Sequence, residues 1–140
     1  MASSTFKFTN NSKRVKVELN NLFVQKITKA CLITQSEIKL NTPVGKVAGG
    51  ELRDTIDYKV NQDGTKIIGI IGSPLIYAPY VEFGTGEYAE HGQGRKGGWA
   101  YKSPDGKWNF TRGMTPRKFM RNGFRQAKDF ISRILNEPLK

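Results

Sequence analysis

Few side chains in this sequence are of the types that bind metals or carry out catalysis. There is a single histidine, His91, and a single cysteine, Cys31. A tetrahedral zinc site built from these residue types needs more of them, and a disulfide within the chain needs a second cysteine. His91 lies in a glycine-rich stretch, where histidine is usually solvated, and Cys31 lies on the apolar face of a predicted helix. We therefore predict no metal site, no disulfide and no catalytic role for either residue.

The carboxylates offer no better basis for catalysis. Paired carboxylates can act as general acid and base when they lie close together, and Glu82, Glu87 and Glu90 precede His91 in the chain. They are scattered over a polar, glycine-rich stretch that has no periodicity and therefore predicts no pairing. We predict no catalytic residue and no enzymatic activity.

Two glycine patterns match the fingerprint of dinucleotide-binding loops. Residues 92–97 fit G-x-G-x-x-G, and residues 84–89 fit its variant that ends in alanine. The fingerprint works only when a helix starts on the glycines, because the helix terminus binds the pyrophosphate. Neither match opens a helix, since an aromatic hairpin follows. We interpret both as chance matches and predict no cofactor.

The charge distribution indicates an acidic partner. The 140-residue chain carries 23 lysines and arginines against 12 acids, a net charge of +11. Between His91 and Arg133, eleven basic residues face only Asp105 and Asp129, a local net charge of 11 − 2 = +9. Basic residues interleaved with aromatics can hold a nucleic-acid strand by phosphate contacts and base stacking. The alternative, which we favour, is a solvated helix face beside aromatics that pack on this domain or on a neighbouring protein subunit.

Two amphipathic helices are predicted to carry these residues. The first begins near Lys13, after capping residues 10–12, and ends before Pro43, because the residue before proline avoids the helical region. Its apolar face comprises Val15, Leu19, Leu22, Phe23, Ile27, Ala30 and Cys31. The second helix takes Thr115 as its N-cap and Pro116 as its first residue. Its apolar stripe comprises Phe119, Met120, Phe124, Ala127, Phe130, Ile131, Ile134 and Leu135.

Patterns of period two predict short strands. Phe6 and Phe8 alternate with polar residues and predict a strand before the first helix. Residues 52–60 predict a half-buried strand, which a turn over 61–64 joins to a second strand over 65–71. The apolar residues of this second strand fall on both parities, which predicts cover on both faces.

The middle of the chain is predicted to form a short helix and a long loop. Pro79 opens the helix and Gly84 ends it, and we expect Tyr80, Val81 and Phe83 to pack on the core. The loop runs over residues 85–98 and contains too few apolar residues to become ordered without a partner.

An aromatic hairpin follows the loop. Trp99 and Tyr101 lie on its first strand and Trp108 and Phe110 on its second, around a turn over residues 103–106. Aromatics that alternate in this way are expected to pair across the two strands.

Together these elements predict an α+β fold in one domain, residues 1–140. Two long amphipathic helices pack on a small antiparallel sheet, and residues 85–113 form a loop-plus-hairpin extension. No run approaches the ~20 apolar residues of a membrane span, and the start of the chain shows no secretory signal. We predict no membrane contact.

Several motifs occur in the order that characterises one family of phage proteins. They are Thr42-Pro43-Val44, Gly50-Glu51-Leu52-Arg53-Asp54-Thr55-Ile56, Tyr77-Ala78-Pro79-Tyr80-Val81-Glu82-Phe83-Gly84-Thr85-Gly86, Gly94-Arg95-Lys96-Gly97-Gly98-Trp99, Gly106-Lys107-Trp108 and Thr115-Pro116-Arg117-Lys118-Phe119-Met120. Over residues 42–125 the chain resembles the HK97 gene-product-ten-like family, the neck, head–tail joining or tail-completion proteins of long-tailed phages. Tyr77, Tyr80, Glu82, Phe83 and Gly84 form its most specific motif. The chain departs from the family by inserting residues 45–49 before Gly50.

The resemblance implies a structural protein of the virion, at the junction of head and tail, that works in a homo-oligomeric ring. Its implied partners are other neck and tail proteins, and non-specific contact with packaged DNA stays open. Its implied locations are the virion and, during assembly, the host cytoplasm. It implies no enzyme and no cofactor. The alternative left open by the charge is a free-standing nucleic-acid-binding protein.

The residues that we expect to contact partners combine positive charge with aromatic surface. These interface candidates are Arg95, Lys96, Trp99, Tyr101, Trp108, Arg117, Arg121 and Arg125.

Overall fold

The structure is a computed structural model that describes residues 7–45 and 49–139. It confirms the predicted α+β class. In chain order the elements are α1 (Ser12–Asn41), α2 (Glu51–Asp54), β1 (Asp57–Asp63), β2 (Lys66–Gly72), α3 (Ala78–Phe83), a 3-10 turn (Gly86–Tyr88), β3 (Trp99–Lys102), β4 (Trp108–Thr111) and α4 (Phe119–Asn136). The strands form two separate antiparallel hairpins, β1–β2 and β3–β4.

Helix α1, 30 residues long, is the scaffold for the rest of the fold. α4 packs on it and runs antiparallel to it. Gly123 of α4 lies against Ile38 near the C-terminal end of α1, whereas Lys26, more than three turns earlier in α1, donates a hydrogen bond to the Glu137 carbonyl just after α4. A helix with one strongly apolar face, such as α4, is stabilised mainly by packing of this kind.

The β1–β2 hairpin also packs on α1, and side-chain amides fix its direction. Gln35 Nε2 donates to the Ile56 carbonyl at 2.9 Å, just before β1 starts. At the other end of β1, the Asn20 and Gln62 side chains exchange hydrogen bonds of 3.1 and 2.9 Å. β1 therefore runs antiparallel to α1.

The core lies where the C-terminal half of α1 meets α2, α3 and the start of α4. Its buried residues are Ile38, Leu52, Ile56, Ala78 and Phe119. Cys31 is buried beside β2, as predicted, and burial raises the pKa of its thiol.

The first part of the predicted strand over 52–60 is wrong, because residues 51–54 form the short helix α2. Leu52 and Ile56 share one parity of a strand, but they are also four residues apart and therefore share one face of a helical turn. The helical turn buries both side chains in the core. Its backbone is closed by the Asp54 N–H, which donates to the Gly50 carbonyl at 2.8 Å.

The predicted cover on both faces of the second strand is also wrong. β2 turns one face to α1, whereas Ile68 and Ile70 on the other face are exposed. Gly69 lies on the packed face, where an added Cβ would come within 2.4 Å of Cys31 Sγ. The turn is shorter than predicted, since Asp63 pairs with Lys66 across only two residues.

The segment before α1, residues 7–11, does not form the strand predicted from Phe6 and Phe8. Phe8 is 90% exposed, and Phe6 lies outside the described residues. The predicted helix start is confirmed within one residue. The Asn10 side-chain oxygen accepts a hydrogen bond from the Ser12 N–H at 3.0 Å, which satisfies one donor of the first turn. The segment inserted before Gly50 relative to the family is described only at residues 45 and 49.

α1 and α4 come into close backbone contact at Gly123. A Cβ built on this glycine would lie 2.5 Å from the Cα and 2.6 Å from the backbone nitrogen of Ile38. Side chains could move aside at such distances, but the backbone of a packed helix cannot. The two helices can therefore adopt this spacing only with glycine at position 123.

We expect Gly123→Val to destabilise the protein by about 1–3 kcal/mol, because overpacking forces the two helices apart. The free energy of unfolding from chemical denaturation measures this loss. Gly72→Ala is the control, since nothing lies within 4 Å of a Cβ added there, and it should change the stability by no more than about 0.5 kcal/mol. Equal effects of the two changes would show that the helix spacing does not depend on Gly123.

Candidate protein-binding surface

Glu82 of α3 joins α3 to the start of α4. Its carboxylate is only 6% exposed. Oε2 accepts a hydrogen bond from the Met120 N–H at 2.8 Å, and Oε1 accepts one from the Arg121 N–H at 3.3 Å. These are N–H groups of the first helical turn, which have no partner within the helix. A side chain distant in sequence thus caps α4, and its negative charge lies at the positive end of the helix dipole.

The predicted start of the last helix, with Thr115 as N-cap and Pro116 as first residue, is wrong by three residues. The chain before α4 is instead bound to α3, since Arg117 N–H donates to the Val81 carbonyl at 2.9 Å. Lys118 then adopts a left-handed conformation with φ of 52°, and α4 begins at the next residue. The external cap takes the place of the local one.

Arg121 extends this network to the following loop. Its Nε donates to Glu82 at 2.8 Å, and its two Nη atoms donate to Glu90 at 2.8 and 2.6 Å. Its guanidinium also lies 5.1 Å from the centre of the Phe83 ring. The hydrogen bonds from Arg121 lower the pKa of Glu90, and both carboxylates raise the pKa of Arg121. Arg121 is therefore an internal cross-link rather than a free surface charge.

The loop over residues 85–98 was predicted to lack order of its own, but its first half is bonded into the fold. Thr85 N–H donates to the Met114 carbonyl at 2.9 Å, and Glu87 N–H donates to the Arg112 carbonyl at 2.8 Å. Backbone hydrogen bonds of this kind need few apolar side chains, and composition therefore did not reveal them.

Gly86 and Gly113 allow the loop to approach the chain that leaves the hairpin. Both have positive φ, 62° and 122°. A Cβ on Gly86 would lie 2.1 Å from the Arg112 carbonyl oxygen, and one on Gly113 would lie 2.1 Å from the Thr85 oxygen. This contact between two backbones fixes the base of the β3–β4 hairpin.

The hairpin itself, which we call the aromatic ribbon (Trp99–Lys102 and Trp108–Thr111), leaves Tyr101, Trp108 and Phe110 exposed and Trp99 half-buried. Trp108 pairs with Lys102 and Phe110 pairs with Ala100. Residues that pair across two strands point to the same side of the sheet. Trp108 and Phe110 therefore lie on the side opposite to Trp99 and Tyr101. The expected pairing of aromatics across the strands is wrong. Trp108 is 73% exposed and Phe110 is 64% exposed.

A groove of about 550 Å³ lies between α3, the loop and the ribbon. Tyr80 and Phe83 line it, so the expectation that these two rings pack in the core is wrong. On the ribbon side the Arg95 guanidinium lies 5.7 Å from the centre of the Trp99 ring. An arginine over an indole and two further rings can bind apolar or aromatic side chains of another protein.

The groove offers no reactive constellation. Glu90 is bound by Arg121, and the His91 ring lies 5.6 Å from the Phe83 ring at a tilt of 42°. Across residues 7–45 and 49–139, no three acidic, histidine or cysteine side chains are grouped as metal ligands.

The structure distributes the predicted interface candidates over three places. The loop and ribbon carry Arg95, Lys96, Trp99, Tyr101 and Trp108. Arg117 lines a separate depression with Tyr77, whose hydroxyl donates to Glu51 at 3.1 Å. Arg121 and Arg125 line a third groove, between α4 and β2, where Phe124 is exposed.

Sequence reasoning missed two features of these surfaces. One is the pair of glycines under the ribbon; the other is the groove beside Phe124, a residue that the apolar stripe of the last helix assigned to the core. The isolated glycine within that helical pattern, Gly123, was the available signal for close packing nearby.

A protein-family model matches residues 6–84, more than half of the chain, and its description reads "Bacteriophage HK97-gp10, putative tail-component". The chain belongs to the HK97-gp10-like family. The predicted family is thus confirmed, although the match covers α1 to α3 and Gly84 rather than residues 42–125. No curated protein and no solved structure matches the chain.

Membership of the HK97-gp10-like family makes the chain a structural, tail-related protein of a bacteriophage, located in the virion. Within the described part of the chain, no helix has both the length and the apolar composition that crossing a bilayer requires.

We expect Glu82→Ala to destabilise the protein by about 2–3 kcal/mol, because it removes the cap of α4 and leaves buried N–H groups without a partner. Thermal unfolding should also show a lower Tm for Arg121→Gln. Arg125→Gln is the matched control on the same helix and should leave the Tm unchanged. If all three variants melted with the native protein, the network would have no structural role.

The same network predicts a dependence of stability on pH. Because the pKa of Glu90 is lower in the fold than in the unfolded chain, its contribution is fully present above the unfolded value of about 4.3. It is lost as the pH falls through the folded pKa. Glu90→Gln should therefore lower the Tm at neutral pH and reduce the loss of Tm on acidification. Parallel Tm curves for the variant and the native protein between about pH 7 and 3 would contradict this.

Proposed function

We propose that this protein is a subunit of the head–tail junction of a long-tailed bacteriophage, where it binds neighbouring virion proteins in a ring. The observation that carries the proposal is the aromatic ribbon, which leaves Trp108 and Phe110 uncovered on one face. Large aromatics bury about 150–250 Å² each and dominate the energetics of protein interfaces. In a family of phage tail components, the neighbours that could cover them are other virion proteins.

The supports of the ribbon favour the same role. An isolated two-stranded hairpin is marginally stable in water. Here the contact between Gly86 and Gly113 and the hydrogen bonds of Thr85 and Glu87 hold its base on the domain. A binding element that is ordered before it meets its partner loses less conformational entropy on binding.

A closed ring requires two different surfaces on each subunit that complement each other. The ribbon and its groove form one candidate surface. A second is the side where β2 and α4 flank α1, with Ile68, Ile70 and Phe124 exposed. Patches of this kind on a small protein are typical of sites that other proteins cover.

The alternative function, nucleic-acid binding, is favoured by exposed basic residues of α4 and of the segment just before it, which line two different depressions. Arg117 and Arg125 are exposed, and neither has an ion-pair partner in the described structure. Such residues can face either phosphates or an acidic protein surface. We assign them to an acidic neighbour, because the uncovered aromatics of the ribbon lie on the same molecule and suit protein contacts.

We expect Trp108→Ala combined with Phe110→Ala to leave the protein folded and to give DNA-filled heads that fail to join tails stably. Ile76→Ala is the control, since Ile76 is even more exposed but lies outside the ribbon and its groove. Electron microscopy of complemented particles gives the ratio of joined to free heads. Normal joining with the double variant would remove the ribbon from the interface.

A second experiment decides whether an acidic protein surface or DNA is the partner of Arg117 and Arg125. Arg117→Gln with Arg125→Gln removes two charges and spares Arg121, which the fold requires. We expect head–tail joining to weaken while the Tm is unchanged. If joining is normal and the native protein binds duplex DNA tightly at physiological salt, with affinity that falls steeply as salt rises, the nucleic-acid function replaces the one proposed.

A further inference from the structure

One groove lies beside the edge of β2 and has room for a further β-strand. It has a volume of about 630 Å³ and lies over α1 between β2 and α4. Its apolar lining includes Ile38, Ile71, Met120 and Phe124, and Arg125 and Lys128 lie on its α4 side. Phe124 is exposed there although it belongs to the apolar stripe of its helix.

The backbone of β2 is open along this groove. Within residues 7–45 and 49–139, the sheet that contains β2 has two strands and β2 pairs with β1 alone. Among the described residues, no backbone hydrogen bond outside that pairing reaches residues 66–72. Alternate residues of an edge strand direct their N–H and C=O groups away from the partner strand. Residues 67–72 of β2 include no charged residue and no proline. These are the residue types that protect many edge strands from pairing with another chain.

The sequence contains a strand pattern before α1, and its described part, from residue 7 on, forms no strand. Phe6 and Phe8 alternate with Lys7 and Thr9, which suits a strand with one apolar and one polar face. Phe8 is 90% exposed in the described segment before α1. A strand in the groove would have one face on apolar side chains and one in solvent. The apolar and polar faces of residues 6–9 match these two environments.

The length of the chain excludes insertion into the groove of the same molecule. Phe8 is four residues from Ser12, the first residue of α1, and four residues span at most about 14 Å. Thr34, which lines the groove, is 22 residues further along α1, a distance of about 33 Å. If Phe8 occupies a groove of this kind, that groove must therefore belong to another copy of the chain.

We infer that residues 6–9 of one subunit add a strand to the free edge of β2 in the next subunit, placing Phe6 and Phe8 against Phe124. Strand addition supplies affinity through backbone hydrogen bonds and specificity through alternate side chains. Each subunit donates one strand and accepts one, which gives the head-to-tail contact that a ring needs. The inference rests on the ring proposed above and names the contact that builds it.

Thiol cross-linking of the full-length chain tests the exchange. One preparation carries Lys7→Cys and a second carries Lys128→Cys, which keeps the phenylalanines of the proposed contact, and a short bis-maleimide is added after the two are mixed in concentrated solution. Cys31 contributes little background, because it is buried and its raised pKa leaves little thiolate. We expect dimers with one chain of each kind. Lys7→Cys mixed with Ile76→Cys, an exposed site outside the groove, should give background only.

Two results would overturn the exchange. The first is the absence of mixed dimers above background, including the case of a chain that stays monomeric. The second is cross-linking of Lys7→Cys to Ile76→Cys as extensive as that to Lys128→Cys, which would show that the segment does not bind the groove specifically.

A matched pair of variants tests the alternation. Phe6→Ser with Phe8→Ser should weaken self-association about tenfold or more, measured by sedimentation, because both apolar contacts are lost. Lys7→Gln with Thr9→Ala changes the opposite face and should leave it unaltered. Equal effects would contradict the inference. Normal joining of heads and tails alongside a failed cross-link would remove the exchange only, whereas a protein absent from virions would remove the proposed function.

Discussion

The fold depends on one buried carboxylate. Glu82 caps the first turn of α4 and binds the Arg121 side chain, which in turn binds Glu90 in the following loop. A buried charge is costly unless it is hydrogen-bonded and paired, and here the N–H groups of a helix end and a guanidinium meet both needs. Together with the backbone hydrogen bonds that Arg117 and Lys118 donate to α3, this carboxylate fixes α3, α4 and the start of the loop relative to one another.

Glycines allow neighbouring elements of the fold to approach one another closely. Gly123 brings α4 onto the backbone of α1, Gly69 brings β2 onto Cys31, and Gly86 meets Gly113 under the aromatic ribbon. Where backbones approach this closely, little space remains for large side chains between the elements. The core is accordingly small, and several large apolar residues remain on the surface.

Those surface residues connect the architecture to its role in a phage tail-related family. Phe8, Phe124, Trp108 and Phe110 are exposed in the single chain, which a protein made to remain alone would avoid. The same construction leaves apolar side chains uncovered at separate places on the molecule. This arrangement suits contacts with neighbours on more than one side.

The sequence by itself determined what depends on local order and composition. The long helices follow from apolar residues at steps of three and four, the aromatic ribbon follows from period-two aromatics around a turn, and the stop at Gly84 follows from a conformation with φ of 80° that favours glycine. The family could be read from short motifs for the same reason, since a motif is a local string of residues. The count of one histidine and one cysteine argued against a tetrahedral zinc site built from these residue types.

Tertiary structure alone decided which local alternative prevailed. Leu52 and Ile56 fit a strand or a helical turn equally well, and burial of both in the core selected the turn. Thr115 is a good local cap, but the carboxylate of Glu82, from an element more than thirty residues away, took its place. Arg121 and Arg125 are indistinguishable as basic residues of one helix in the sequence. Only the position of Glu82 and Glu90 makes the first a structural cross-link and leaves the second available to a partner.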